Sequence, residues 1–380
     1  MLATNKGTSN PLITVVIPTY QRSSLLRRAI LSALKQSYAN IVVLVCDNAS
    51  SDDTEAVVTH LSRADRRIVY IKHHENIGSY RNFNSGLSGL NTRYFCLLSD
   101  DDMLSPDFLK DALAAFAKYP DAAAVAMATA AVDENGEILE LPQTVSAICL
   151  YPAGEGISAS LAAQLPNKWS GYLIDQKVYR DIGGIDIEAG PYADAGYIWH
   201  ILARYPVAAS PGLAAIYMVH QATTSATVKA LDADWPTWWE RMISRIESDL
   251  SVAEMVRKKV RIQMQPDFRK IAIEKILQML YREQTKSAIE TARGLAACGY
   301  TMTSLLLRVS IAIWTMLLPG GYITRNVRAL RSAKREAEQR QKNTQGTEII
   351  ALVNSLNKET EEIARNYQAG QQLVSRINIA

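Results

Sequence analysis

The first 125 residues alternate between two hydrophobic rhythms. LITVVIP (12–18) is a short, continuous β-branched run ended by proline, the pattern of a buried parallel strand. In SSLLRRAILSALKQ, which follows, Leu26, Ile30, Ala33 and Leu34 share one helical face, with Ser23 as the candidate N-cap. IVVLVCD (41–47) predicts a second buried strand and SSDDTEAVVTHLS a capped helix. RIVYIKH (67–73) and RYFCLLSD (93–100) predict a third and a fourth strand. Strands separated by helices build βαβ units, so the expected class is α/β with a mainly parallel, Rossmann-like central sheet. From 126 to 220 the pattern is less regular. AVAMATAAVDENGEILEL reads as strand, turn at Asn135-Gly136 and strand, and WSGYLIDQKVYRDIGGID as strand, helix and glycine stop. Residues 235–300 read as helical, opening with WPTWWERMISRI.

In such sheets ligands sit beyond the carboxyl ends of the strands. That singles out Thr19 and Tyr20, Asp47, and the run Asp100-Asp101-Asp102. Three successive carboxylates raise one another's proton affinity unless a cation lies among them. A hard divalent ion, Mg²⁺ or Mn²⁺, suits oxygen donors completed by substrate phosphates. The alternative is a solvated turn that caps a helix beginning at Ser105-Pro106-Asp107.

Composition narrows the class. With 380 residues, 48% of them hydrophobic and 21% charged, the chain is globular and longer than one average domain; collagen-like and wholly disordered readings are excluded. Four scattered cysteines form no CxxC pair, and Cys46 and Cys96 lie in apolar runs, as reduced buried thiols do. The start MLATNKGTSN has no apolar signal region, so a cytoplasmic location is expected. There is no HExxH, no Cys/His zinc spacing, no P-loop and no GxGxxG, which argues against zinc hydrolases, ATPases and dinucleotide enzymes.

Four stretches in order resemble family 2 glycosyltransferases, inverting enzymes with the GT-A fold: VVIPTYQR (15–22), VLVCDNASSDDT (43–54), ENIGSYRNFNSGL (75–87) and LLSDDDMLSPDFL (97–109). The resemblance implies a nucleotide-sugar donor, usually of uridine. It assigns Pro18, Thr19, Tyr20 and Arg22 to the nucleotide-contacting turn, Asp47 to the base, Arg81 to base or phosphate, and Asp100 to ribose or sugar. Asp101, with Asp102, would ligate Mn²⁺ or Mg²⁺, and His220 resembles a late histidine that some relatives place on the metal or diphosphate. Ser99 stands where many relatives have Asp. The family takes its base from an acidic pair after a GG-[FIVL]-D segment. Here IGGID (182–186) leads to Asp194 at the second acid position, with Ala193 at the first. Asp194 is therefore the expected base; it is equally placed to cap the helix GYIWHILARY. Tyr20 either stacks on a base or packs on its own helix, and Trp235, Trp238 and Trp239 either platform a sugar or belong to the core.

Charge divides the rest. Residues 1–256 carry a net −8, 257–342 a net +12 and 343–380 a net −1. Within the basic stretch, MTSLLLRVSIAIWTMLLPGGY (302–322) is apolar but broken by Arg308, shorter uninterrupted than the ~20 residues that span a bilayer. GYITRNVRALRSAKR adds five cations and no acid. An apolar helix beside a cationic one fits attachment to an anionic membrane surface, here the inner face of the cytoplasmic membrane. The alternative is a buried helix pair with a solvated basic face; nucleic acid is not expected, for want of a reading module. In 346–380, Ile349, Val353, Leu356, Thr360, Ile363, Tyr367, Gly370, Val374 and Ile377 recur at spacings of four and three, the seam of a short coiled coil. It either self-associates or packs as a single helix. The expected plan is a GT-A domain over 10–225, a helical region over 226–345 with the basic segment 302–342, and the tail 346–380. The expected activity is transfer to a hydroxyl of a saccharide or lipid-linked acceptor in cell-surface polysaccharide synthesis. The rival is a catalytically silent scaffold of the same fold in a membrane-bound complex, favoured by Ala193 and Ser99.

Overall fold

The structure, a computed structural model, describes residues 10–133, 137–140, 144–220, 235–281, 285–297, 307–308, 349–355 and 357–358. The β-branched runs become strands β1 (Ile13–Thr19), β2 (Ile41–Asp47), β3 (Ile68–Lys72) and β4 (Tyr94–Leu97), joined by helices α1 (Ser23–Leu34), α2 (Thr54–Ala64) and α3 (Ser79–Ser88). Side chains alternate across the pleat. Ile13, Val15 and Ile17 of β1 enter the core beneath α1 and α2, while Val16 enters the core of the opposite face. These four strands pair in parallel in the order β3-β2-β1-β4.

Beyond β4 the sheet becomes mixed. After β5 (Met103–Leu104) and α4 (Phe108–Lys118) come β6 (Ala124–Asp133), β7 (Ile138–Glu140), β8 (Cys149–Tyr151), α5 (Glu155–Leu161), β9 (Tyr172–Asp175), α6 (Gln176–Ile182), α7 (Ala193–Arg204) and β10 (Val207–Val219). The order continues β4-β9-β6-β10-β5, with β9 antiparallel to both neighbours, β10 parallel to β6, and β7 and β8 pairing β6 and β10. The strands around the expected Asn135-Gly136 turn do pair; the turn itself lies outside the described residues.

Two expectations need correcting. Strand four stops at Leu97, opposite Val16, rather than at residue 100. The amide of Leu98 still donates to the Val16 carbonyl (3.0 Å), and the chain then turns, Asp102 N–H closing on the Ser99 carbonyl at 3.1 Å. The three aspartates therefore form a turn. Ser23 is also not the cap of α1: it is the first helical residue, and its free amide is taken by Asp52 Oδ2 at 3.1 Å, a carboxylate at a helix N-terminus.

Three further helices, α8 (Trp235–Ser248), α9 (Glu254–Tyr281) and α10 (Thr285–Ala297), continue the core on the α3 and α7 face, through Trp239, Met242, Ile243, Val260 and Leu295. Trp239 is 1% exposed, with its ring edge-on to Trp199 at 5.2 Å, so this tryptophan is core. His200 is buried and bonded to Asp249 at 2.8 Å. The thiols of Cys46 and Cys96 are buried and free, and burial pushes Cys46 up to about 12. The basic segment 302–342 lies outside the described residues except for 307–308. Of the tail, residues 349–355 and 357–358 are helical, and Ile349 and Val353 pack on Met103, Val132, Ile216 and Met218.

Candidate active site

The site forms where β1 and β4 release the chain. After Thr19 the backbone turns sharply, with Gln21 in the left-handed region (φ 53°). Two bonds lock that turn to the loop after β2: Gln21 N–H to Ser50 Oγ (2.8 Å) and Asn48 N–H to the Thr19 carbonyl (3.0 Å). Asn48 in turn holds the loop after β3, accepting from Ile77 N–H and donating to Asn76 Oδ1, both at 2.8 Å. One wall of a cleft of about 480 Å³ results, with Pro18, Thr19, Tyr20 and Arg22 on it and Tyr20 40% exposed.

The acid turn makes the floor. Asp100, Asp101 and Asp102 are 5%, 6% and 1% exposed. Thr19 Oγ1 donates to Asp100 Oδ2 at 2.8 Å, and Arg22 Nη1 spans Asp100 Oδ1 (3.2 Å) and Asp101 Oδ2 (3.0 Å). The same Asp101 oxygen lies 3.1 Å from His220 Nε2, and Asp102 Oδ1 accepts the Met218 amide at 3.2 Å. Strand β10 makes this meeting possible. Its register with β6 shifts at Ser210-Pro211-Gly212, where Gly212 takes φ 98°, and the bent strand carries Met218 and His220 back to the acid turn. Burial, then the charge of Asp101, pushes the Asp100 carboxyl up to about 6 and Asp102 well above its ordinary range. Among the described residues no group of three His, Cys, Asp or Glu side chains is arranged to hold a metal by itself. Asp101 Oδ2 and His220 Nε2 nevertheless converge in a site with surplus buried negative charge, and one or two protein donors completed by phosphate oxygens are the usual binding mode of Mg²⁺. The donor set fits such an ion.

The far wall comes from a second region. Lys168, Trp169 and Ser170 precede β9, Tyr217 stands on β10, and Asp194 lies in the first turn of α7. The Lys168 ammonium sits 4.3 Å from the Tyr217 ring centroid. The Trp169 indole packs on Phe83 at 4.2 Å, and its Nε1–H donates to Ser99 Oγ at 3.3 Å. Ser99 thus anchors the far wall to the acid turn. Asp194 is not the N-cap of α7, a position held by Tyr192; its Oδ1 accepts the Ala195 amide at 2.7 Å. Burial pushes its carboxyl up to about 6, while the Ala195 amide and the Lys168 charge pull the other way.

Of the residues singled out in the sequence, the structure brings Pro18, Thr19, Tyr20, Arg22, Asp100, Asp101, Asp102 and Asp194 to one cleft, with His220 bonded to Asp101. Asp47 and Arg81 do not line it. Asp47 is wholly buried, its Oδ1 accepting from the Ser50 amide (2.9 Å) and its Oδ2 from the Tyr70 hydroxyl (2.5 Å); Arg81 is exposed on α3. Sequence reasoning passed over Asn48, Asn76, Asn82, Lys168, Trp169 and Tyr217. The available signal was the adjacent cation and aromatic, Lys168-Trp169, just before a strand.

The sequence profile of glycosyl transferase family 2 matches residues 14–163. An uncharacterized glycosyltransferase of Rickettsia typhi is 35% identical over 102 residues, 27% of this chain and 31% of the relative. GalNAc(5)-diNAcBac-PP-undecaprenol beta-1,3-glucosyltransferase of Campylobacter jejuni is 37% identical over 95 residues, 25% of this chain and 31% of the relative. The matched stretch thus spans about a third of the length of these relatives. Among solved structures, S. aureus TarS 1–349 in complex with UDP-GlcNAc superposes with a TM-score of 0.56 at 13% identity, over 78% of this chain and 92% of that TarS fragment, which is a likeness of fold. A central mixed sheet flanked by helices and the likeness to TarS agree on the GT-A fold, and residues 14–163, which hold the ordered motifs of β1 to β4, match the profile of glycosyl transferase family 2.

Proposed function

We propose that the chain moves a sugar, with inversion, from a nucleoside diphosphate donor, a UDP-sugar, to a hydroxyl of a saccharide or lipid-linked acceptor in cell-surface polysaccharide synthesis. One observation carries this reading: the nucleotide-side turn, the acid turn and a lone carboxylate on the far wall, Asp194, line the same cleft. The Campylobacter relative, whose name describes transfer to a polyprenyl-linked saccharide, supports the acceptor class.

On the donor side, Tyr20 offers a half-open ring for a base to stack on, and Thr19 and Asp100 offer a bonded pair for ribose or sugar hydroxyls. Asp47 supports this wall from beneath, through Ser50 and Tyr70. Asp101 and His220, backed by Asp102, would hold Mn²⁺ or Mg²⁺, which as a Lewis acid neutralises a departing diphosphate. Arg22 brings a fixed cation to the same place. Asp194 is the base. The acceptor hydroxyl gives its proton to the carboxylate as its oxygen bonds the anomeric carbon; the bond from that carbon to the diphosphate breaks, and the nucleotide leaves with the electron pair. A carboxyl held at about 6 remains ionised at neutral pH yet is more basic than an ordinary aspartate.

The test is a thermal-shift screen of UDP-, GDP- and TDP-sugars with and without Mn²⁺. A ligand at about 100 times its Kd stabilises by about 2.7 kcal/mol. One donor class should raise the melting temperature, and more so with Mn²⁺. No response to any of them would remove the donor from this cleft.

A further inference from the structure

Behind the acid turn lies a surface that the proposed chemistry does not use. Arg28, on α1, is 8% exposed and does not line the cleft. Its Nη2 donates to the backbone carbonyl of Asp101 at 3.0 Å, and its Nη1 donates to Asn357 Oδ1 at 3.1 Å. One guanidinium therefore joins the proposed metal ligand to the C-terminal helical segment, across 329 positions of sequence. A planar fork with two occupied arms holds direction as well as distance.

A second contact is independent of the first. Ile349 and Val353, 6% and 1% exposed, pack on Met103, Ile216 and Met218. Met103 follows Asp102 directly, and the Met218 amide is the donor to Asp102 Oδ1. The tail thus bears on the acid turn from three sides: through the Asp101 carbonyl, through the side chain after Asp102, and through the strand that bonds Asp102 and leads to His220.

From this geometry we infer that residues 349–355 and 357–358 are a built-in buttress of the acid turn. It positions Asp101 and Asp102, so that the affinity of the cleft for a nucleoside diphosphate with its cation depends on a helix far along the chain. The inference rests on the donor reading above for its functional consequence. It also uses, within one chain, the first two seam positions of the tail heptad, so those two side chains are not free to join a partner helix.

The experiment compares the full chain with Val353→Asp, Val353→Ile and Asn357→Ala. Hydrogen exchange of the amides of 99–104 and 216–218, without ligand, reads the buttress itself. Calorimetric titration with whichever of UDP, GDP or TDP binds the unaltered chain, in the presence of Mn²⁺, reads the coupling. Val353→Asp should speed exchange at both segments and weaken nucleotide binding by about tenfold, within the range that packed networks transmit. Asn357→Ala should weaken binding less, and Val353→Ile should restore both readings. Unchanged exchange in Val353→Asp would overturn the buttress, and faster exchange with unchanged affinity would overturn its coupling to the site. If no diphosphate binds the unaltered chain, the donor reading fails by itself, and the exchange comparison still decides the buttress.

Discussion

Asp194 carries the sharpest expectations at the level of single residues. As the base it must be ionised, so turnover should fall as pH drops through about 6. Asp194→Asn should lower kcat by about 10²–10⁴-fold while nucleotide affinity stays within error, since the amide keeps the shape but cannot take a proton. Stability should move the opposite way. A raised carboxyl pKa means that the folded state binds the proton more tightly, so wild type loses stability as pH rises from about 4 through about 6. The Asn variant avoids this and should melt higher at pH 8 but not at pH 4, by about 2–4 °C for each kcal/mol. The ammonium of Lys168 holds Asp194 down. Lys168→Met should therefore shift the acidic limb of the pH–rate profile upward; an unmoved limb would show that the charge is not felt at the base.

At the scale of elements, α1 shows how a helix serves two masters. Its apolar stripe of Leu26, Ala29, Ile30 and Ala33 faces the sheet. A second stripe, Arg28 and Ser32, continued by Gln36 just past the helix end, is buried and polar at spacings of four, and it grips the acid turn and the chain after it. Ser32 Oγ accepts the Leu104 amide at 3.0 Å, and Gln36 accepts the Leu109 amide at 3.1 Å while donating to the Ser105 carbonyl. Ser32→Ala would leave the Leu104 amide buried without that acceptor, at a cost of about 1–3 kcal/mol. Denaturant unfolding should register that loss, whereas Ser32→Thr should retain most of the stability. The apolar stripe was legible from its helical period. The polar one was not, because burial of Ser32 depends on a segment 72 positions later.

The whole molecule joins an acidic part that holds the cleft to a segment with twelve surplus positive charges. Among the described residues no helix is long and apolar enough to cross a membrane. Attachment by 302–342 to the membrane surface, at the cytoplasmic leaflet where a lipid-linked acceptor would be presented, is the proposal that accounts for this asymmetry. The full chain should float with vesicles containing anionic lipid, less so at high salt, because screening shortens the reach of surface charge to about 8 Å at physiological ionic strength. A chain lacking 302–342 should stay with the soluble fraction, and equal flotation of both would end the idea. Light scattering with and without 346–380 tests self-association of the tail, of which Ile349 and Val353 already pack on the sheet.

Local chemistry sufficed for the parallel half of this protein. Continuous β-branched runs, helical periods and an acid triplet after a strand are properties of neighbouring residues, so strands β1 to β4, helices α1 and α2 and the cleft residues Thr19, Tyr20, Asp100, Asp101 and Asp102 could be read from them. Pro18, Arg22 and Asp194 rest on the family resemblance instead, and α3 reads as a loop. Convergence from a distance could not. That Asp47 turns inward to Tyr70, that Lys168 and Tyr217 close the far wall, that a bend at Gly212 brings His220 to Asp101, and that Asn357 reaches Arg28 all depend on how a mixed sheet stacks strands remote in sequence. A side chain's partner across such a sheet is set by register and bulge, and neither is written in the periodicity of either strand alone.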